Sequence, residues 1–521
     1  MTQLTTVDAT FLNAETGTTH PHIAGLGIVD AASCPGGRLS VPQVAELVRS
    51  RAHLAARPLR QRLVQVPLGL DRPYWEDDPA FDPERHIFEI GLPAPGTDRQ
   101  LADVVAYLHE QPLDRSRPLW EMVLIQGLHG GRTAVYVKVH HAAIDGVMAA
   151  ETLAALLDLS PEPRELPADE TAPTRAPGTA GMLGTGLLKA ALHPVRTALS
   201  VARTAPYLDE IPGVAAIPGV GVLSSVVQGA LRRPAAQRAP RLSAPPTPFN
   251  EPIGRRRSVA CGELSLAEIK EIRRGLGGSV NDVVMALCAT ALRKWLDKRG
   301  DLPDRPLVAA VPVSLRRGGA AAEPGNQVSV MTAPLATHVP DPADRYAAVR
   351  RDMDAAKRRF VASSGSWVRE MSGILPAPIA GAVTRFALQA APSLSLRPVN
   401  LMISNVPGPQ FPLYLCGAKV LGYYPISVVT DVSGGLNITV FSYDGKVDVG
   451  IVACRDLVPD PSEIVDHLVD ALDELKGLSR EVLDERARDA EGGLDAEGGL
   501  DGEGAGDAEG VRDGDAEPGG R

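Results

Sequence analysis

Aromatic residues are scarce in this sequence, at 4% of 521 positions, and its five cysteines include no pair at CxxC spacing. The first shortage argues against an aromatic platform for stacking nucleic-acid bases. Cys34, Cys261, Cys288, Cys416 and Cys454 are scattered, so neither a disulfide framework nor a zinc site is expected, and a reducing cytoplasm fits. The chain has no Walker loop, no GxSxG elbow and no cysteine in a persuasive catalytic setting, which sets aside phosphate cradles and serine-hydrolase chemistry. It also lacks a serine in a carrier-protein attachment motif, which weighs against a peptide-synthetase fragment. Met1–Asp8 has no basic stretch leading into an apolar one, so no signal peptide is expected. The longest uncharged run, Ile211 to Leu231, is long enough to span a bilayer. Pro212, Pro218, several glycines, Ser224, Ser225 and Gln228 interrupt it, so a regular transmembrane helix is not expected. Net charge is −10, yet Asp489–Arg521 holds eleven acidic residues against two arginines. The rest of the chain is nearly neutral, and no nucleic-acid partner follows.

What is present fits a soluble chain with more than one core: 44% hydrophobic and 22% charged residues over 521 positions. Residues 1–165 mix helices and strands. Ser40 is placed to cap a helix carrying Val44, Leu47, Val48 and Leu54 on one side. Thr133–His140 alternates as a half-buried strand does, and Val147–Leu157 reads as a helix. Residues 166–250 form a proline-bounded linker in which Leu183, Leu187, Leu188, Leu192, Val195 and Leu199 recur at helical spacing. Lys189, His193, Arg196 and Arg203 lie largely off that stripe. Such a helix can pack across two core units, rest on a membrane or lipid droplet as a basic amphipathic surface, or do both.

Residues 251–480 repeat the αβ mixture. A helix is expected over Val280–Lys298, with strands at Leu307–Pro312 and Val399–Ile403. A hairpin joins Asn437–Tyr443 to Lys446–Val452 through Asp444-Gly445. After Pro461, a last helix turns Ile464, Val465, Leu468, Leu472 and Leu475 inward. Residues 481–521, with Asp489–Leu494 repeated at Asp495–Leu500, have too little apolar surface to offset chain entropy and are expected to be disordered. Two αβ units joined by a long linker suggest a cleft between them.

The segment richest in chemistry is His140-His141-Ala142-Ala143-Ile144-Asp145-Gly146, at a strand end leading into a helix. Neighbours on a strand point to opposite faces, so one imidazole should be buried and the other face the cleft. A neutral imidazole suits general-base work on an alcohol, while Asp145 before Gly146 braces a turn. On spacing alone a pair of structural histidines and a His-His-Asp metal triad remain open. The His140-x4-Asp145 spacing also matches membrane-bound glycerolipid acyltransferases, in which His140 would be the base. Asn281 falls in the first turn of the Val280–Lys298 helix, where an amide donor and free N–H groups favour developing negative charge. The plainer reading is a helix cap, with Ser279 and Asp282 spaced like a capping box. Gly275-Leu276-Gly277-Gly278 either approaches phosphates or supplies positive φ. Arg255-Arg256-Arg257 either pairs with phosphates or is a solvated charge run.

Val139–Gly146 resembles the HHxxxDG motif of the chloramphenicol-acetyltransferase-like superfamily. Within it the chain is similar to the bacterial wax ester synthase/acyl-CoA:diacylglycerol acyltransferase family. Leu113–Glu121 resembles that family's PLW segment and Ser279–Val284 its ND segment. Val7–Leu12, Arg72–Asp78 and Ile403–Pro409 are similar too. The resemblance covers about residues 7 to 476, omitting most of the linker. It implies an α/β (α+β) fold of two sandwich-like subdomains with an interdomain tunnel. It implies a long-chain acyl-CoA donor and a diacylglycerol or fatty-alcohol acceptor, with no separate cofactor and no metal. His141 would be the base, Asp145 would hold the loop against a partner for which Arg316 is the candidate, and Asn281 would hold the oxyanion. Gly146, Asp282, Pro118, Leu119 and Trp120 would shape the substrate site. A cytoplasmic enzyme is expected, peripheral at an inner membrane or at lipid inclusions.

Overall fold

A computed structural model describes residues 2–34, 36–144, 146–167, 169, 172–204, 244–314, 328–362, 373, 375–390 and 397–497. Asp145, Arg316, the run Ile211–Leu231 and the acidic residues from 498 onward lie outside them.

The first half runs β1 (Thr2–Gln3), α1 (Thr6–Asn13), β2 (His22–Asp30), α2 (Val41–Arg51), α3 (Ala56–Arg60), β3 (Gln61–Val64), β4 (Tyr74–Asp77), β5 (Ile87–Gly91), α4 (Asp98–His109), β6 (Trp120–Gln126), β7 (Thr133–His140) and α5 (Gly146–Leu156). After α6 (Thr179–Thr204) come β8 (Arg257–Ser265), α7 (Leu266–Leu276), α8 (Val280–Asp297), β9 (Leu307–Ser314), β10 (Val328–Leu335), α9 (Pro342–Ala362) and α10 (Ala377–Ala390). The chain continues through β11 (Leu401–Pro407), β12 (Tyr414–Leu415), β13 (Ala418–Ile426), β14 (Leu436–Tyr443), β15 (Lys446–Cys454) and α11 (Ser462–Glu497).

Two six-stranded sheets result, ordered β12-β13-β2-β7-β6-β5 and β10-β9-β11-β14-β15-β8, beside a three-stranded sheet β1-β4-β3. The expected break at about residue 251 is therefore crossed: β12 and β13, from the second half, complete the sheet of the first half. The two large sheets meet where β13 passes β15. A Cβ on Gly450 would lie 1.7 Å from Pro425 O, so only glycine permits that approach. Asp448, fully buried, accepts from the Tyr423 N–H at 2.6 Å beside the register shift in β13.

α8 is buried on nearly every side, from Asp282 to Leu292 and again at Trp295 and Leu296, because α7, α9 and α11 pack around it against the second sheet. The Ser279–Asp282 capping box starts it. Ile464, Leu468, Leu472 and Leu475 of α11 face the same core. The hairpin turns at Asp444 and Gly445, with φ of 44° and 82°, as its sequence requires. Ser40 caps α2 with Gln43, and Val44 and Val48 are buried, but the helix ends at Arg51 and leaves Leu54 exposed in the following turn.

Three expectations change. β7 is buried on both faces instead of one, because an apolar cluster packs over each face of the sheet. Val135 and Val139 face one apolar cluster, while Ala134 and Tyr136 face another that includes α4 residues. The leucine stripe of α6 is not inward: Met182, Gly186, Lys189 and His193 face the body, and Leu187, Leu188 and Leu192 are exposed. Lys189 decides this, pairing with Asp71 at 2.7 Å and with Gln3. The acidic tail, expected to lose structure at 481, stays helical in its backbone to Glu497. Residues rich in Ala, Glu, Arg and Leu extend an already nucleated helix.

Candidate active site

β7 pairs with β2 and β6 up to its last residue, so the end of β7 is a rigid platform. His140 lies opposite His22 in the ladder, its N–H donating to Leu119 O at 2.9 Å. The chain then turns: Ala143 N–H donates to His140 O at 2.9 Å, and His141 N–H donates to Pro21 O at 2.8 Å. The end of the strand at His140 and the turn at His141 separate the two side chains. His140 is 1% exposed, while His141 is half-buried with its ring stacked on Phe11, centroids 4.0 Å apart and planes 11° from parallel.

His140 is an internal structural residue. Its Nδ1 accepts from the Ala142 N–H at 3.0 Å, so the proton of the neutral ring sits on Nε2. Nε2 faces Glu15 Oε2 at 3.7 Å. Burial pushes the pKa of His140 down, and the neighbouring Glu15 offsets only part of that. This removes His140 as the base in the His-x4-Asp spacing.

Glu15 was not singled out from the sequence. Burial raises its pKa, but hydrogen bonds to His140 and His20 and the Arg115 charge bring it well below the usual carboxylate range. His20 Nδ1 lies 3.3 Å away, and Arg115 bonds both Glu15 and, at 2.9 Å, Leu12 O at the end of α1. One carboxylate thus ties α1, the start of β2, the loop before β6 and the end of β7. No spacing rule joins positions 15, 20, 115 and 140, so the only sequence signal was a lone acid between α1 and β2. Lys138 is also unexpectedly buried, donating to Leu108 O and Gln111 O at 2.9 and 3.0 Å.

The PLW segment supports the platform. Pro118 is buried, Leu119 is 0% exposed and Trp120 1%, so none offers a surface to a ligand as expected of a substrate-binding residue. Trp120 Nε1 donates to Leu59 O at 2.9 Å, and His86 stacks on the indole at 4.6 Å. Asp282 is likewise internal. Its Oδ2 accepts from the N–H and Oγ of Ser279 at 2.8 and 2.7 Å, and its Oδ1 pairs with Lys357 at 2.9 Å. It caps α8 and does not meet substrate.

Asn281, one residue earlier and half-buried, has its Oδ1 bonded by Asn405 Nδ2 at 3.2 Å. That bond directs its amide nitrogen elsewhere. Val406, next to Asn405, packs on the apolar cluster that contains Val139, Ala142, Ala143 and Ile144. β11 thereby brings the start of α8 towards the His140–Ala143 turn, joining two segments 140 positions apart in sequence.

The glycine run before α8 serves conformation. Gly277 and Gly278 have φ of 78° and 88°, and Arg350 covers both, donating to Leu276 O at 2.7 Å. That side chain fills the space a phosphate would need. Arg257 is buried, donating to Gly254 O and Thr18 O, and so departs from a solvated run. Gly146 opens α5.

A cavity of about 1060 Å³ lies between the two halves, where two αβ units led us to expect a cleft. Thr10 and Phe11 of α1, Lys189 and His193 of α6, and Gly381 and Leu388 of α10 are among its walls. His141 does not line it, but Phe11 belongs to both, contributing to the wall and stacking on the imidazole.

Family models agree with this architecture: the wax ester synthase/diacylglycerol acyltransferase catalytic domain matches residues 4–284, and the WS/DGAT C-terminal domain matches 324–476. A Mycobacterium tuberculosis protein named as a diacylglycerol O-acyltransferase is 36% identical over 488 residues, spanning 91% of this chain and 90% of its own. The solved wax ester synthase/diacylglycerol acyltransferase from Marinobacter aquaeolei VT8 is 30% identical with a TM-score of 0.64, covering 92% of this chain and all of that one. The first condensation domain of the CDA synthetase, at 16% identity and TM-score 0.50 over 90% of this chain and 96% of its own, shares the fold. The chain belongs to the wax ester synthase/diacylglycerol acyltransferase family.

Proposed function

We propose that this chain transfers a long-chain acyl group from acyl-CoA to the hydroxyl of diacylglycerol, forming triacylglycerol, with His141 as general base. The observation that carries the assignment is the division of labour at the end of β7: His140 is sealed and committed to Glu15 and Ala142, while His141 is half-buried against a residue of the cavity wall. A ring nitrogen of His141 takes the hydroxyl proton as the alcohol oxygen bonds the thioester carbonyl carbon. The amide nitrogen of Asn281 and the N-terminal end of α8 favour the negative charge on the carbonyl oxygen. The carbon–sulfur bond then breaks, and the CoA thiolate takes the proton back from the imidazolium.

Family membership also fits a fatty-alcohol acceptor, giving wax esters. Purified enzyme with palmitoyl-CoA and either dioleoylglycerol or hexadecanol separates the two by product. Replacement of His141 by Ala should lower kcat by roughly 10²–10⁴-fold with the fold intact. Near-native turnover by that variant removes the assignment.

A further inference from the structure

Charge is sorted by side on α7. Its two acids turn to α11, where Glu268 pairs with Lys476 at 2.8 Å and Glu271 with Arg480 at 3.3 Å, and Gly275 lies against Ser479. Residues 268, 271 and 275 mark one flank of the helix, so Lys270, Arg273 and Arg274 lie on the other. All three are exposed, and none has a carboxylate partner among the described residues. The Gly277 N–H closes the helix on Arg273 O at 2.9 Å, and Arg350 of α9 lies against Gly277 and Gly278. Arg350 spends one donor on Leu276 O at 2.7 Å, of the five a guanidinium has. Asp282, the acid at this turn, is taken up by Ser279 and Lys357. A helix C-terminus favours cations by itself. That accounts for Arg273 and Arg274, but not for an arginine brought from another helix.

Position selects the ligand. Gly278, under Arg350, stands three residues before Asn281, the amide assigned to the reacting carbonyl. A CoA thioester carries that carbonyl at one end and a 3′-phosphate and a diphosphate on adenosine at the other, joined by the pantetheine arm. With the carbonyl at Asn281, the phosphates need an exposed surface close by and cations to neutralise them. Lys270 to Arg274 covers about 6 Å of helix axis, enough to serve separate phosphate groups. Arg350 continues the row towards Asn281. The run Arg255-Arg256-Arg257 offers less, because Arg257 is buried and Arg256 pairs with Asp456 at 2.5 Å.

We propose that Lys270, Arg273 and Arg274 of α7, with Arg350 of α9, bind the phosphates of the CoA portion of the donor and lead its pantetheine arm over the Gly277–Gly278 turn to Asn281. The identity of the ligand rests on the acyl-transfer reading; the anion site itself does not.

The test is isothermal titration of the full chain with free CoA, which needs no turnover. Combining Lys270→Gln, Arg273→Gln and Arg274→Gln should weaken CoA binding about tenfold or more, and the loss should shrink at high salt. The urea midpoint should not move, because these side chains are exposed. Should the triple variant fail to fold, Arg273→Gln alone carries the test, with a loss of about threefold. Arg255→Gln with Arg256→Gln removes nearly as much positive charge elsewhere and should leave CoA affinity as it is. In turnover, the triple variant should raise KM for palmitoyl-CoA about tenfold and leave KM for S-palmitoyl-pantetheine, which has no phosphate, unchanged. CoA that fails to bind the parent, or binds the triple variant equally well, overturns the site whatever the turnover. CoA binding lost as expected, in a protein that transfers no acyl group, leaves the site standing and removes the acyl-transfer reading. Phosphatidic acid vesicles bound by the parent and released by the triple variant, with CoA affinity unaltered, assign the cations to a lipid headgroup and overturn the proposal.

Discussion

Asp448 provides a quantitative check on how the two sheets are joined. Its carboxyl lies in the middle of β15 with 0% exposure, its Oδ2 accepting from Tyr423 N–H of β13 at 2.6 Å. Oδ1 has no hydrogen-bond partner among the described residues. Burial, aided by the nearby charge of Glu263 and opposed by the Tyr423 N–H and Lys446, raises its pKa from 3.8 to about 7. The folded chain therefore binds this proton more tightly than the unfolded chain, and stability falls as pH rises from about 4 to above 7. The full linkage is about 4 kcal/mol. In Asp448→Asn the amide oxygen keeps the Tyr423 bond and the ionisation is gone, while the amide NH2 inherits the unpartnered site at a cost of about 1–3 kcal/mol. The variant should thus be about 1–3 kcal/mol more stable than the parent above pH 8. Urea unfolding of both proteins at about pH 5.5 and about pH 8.5 should show the gap widening by about 2 kcal/mol. Titrating histidines elsewhere act on both proteins and cancel. A gap independent of pH would refute the argument, because it would mean that the carboxyl at the sheet junction is already ionised and solvated.

Glu15→Gln removes the charge shared by Arg115, His20 and His140, and should cost about 1.5–3 kcal/mol at pH 7. Because the folded pKa of Glu15 is depressed, this stabilisation is present above about pH 4.5 and disappears as pH falls below it; a loss that persists unchanged at pH 3 contradicts the network. Phe11→Leu keeps an apolar wall but deletes the stack on His141, and should lower kcat by up to about tenfold with little change in KM; a purely KM effect would make Phe11 a binding contact only. Asp282→Ala leaves Ser279 and Lys357 unpaired at the start of α8 and should destabilise the chain by about 1–3 kcal/mol. Thermal denaturation measures that loss, and an unchanged midpoint would show that the capping box does not hold the helix.

The local elements were legible because their signals are local. The Ser279–Asp282 box, the Asp444-Gly445 turn and the apolar spacing of the last helix each involve residues within a few positions of one another, and each stands as read. The parity of adjacent residues separated a buried His140 from a half-buried His141, but His141 stands in the turn after β7 and does not line the cavity as expected. Which side of α6 faces inward was not legible, because Lys189 is drawn in by Asp71, 118 positions away. The burial of both faces of β7 was equally hidden, since it depends on two separate apolar clusters, one of them including residues of α4, closing over the sheet.

By itself, then, the sequence determined most helices, turns and strands and carried the family-specific motifs, because hydrophobic period and capping chemistry act within a single element. Only the tertiary structure decided that β12 and β13 cross into the first sheet, that Glu15 braces the platform from α1, and that Asn405 brings Asn281 towards it. Those contacts join residues far apart along the chain, and their partners are chosen by packing, charge and burial after the elements have met.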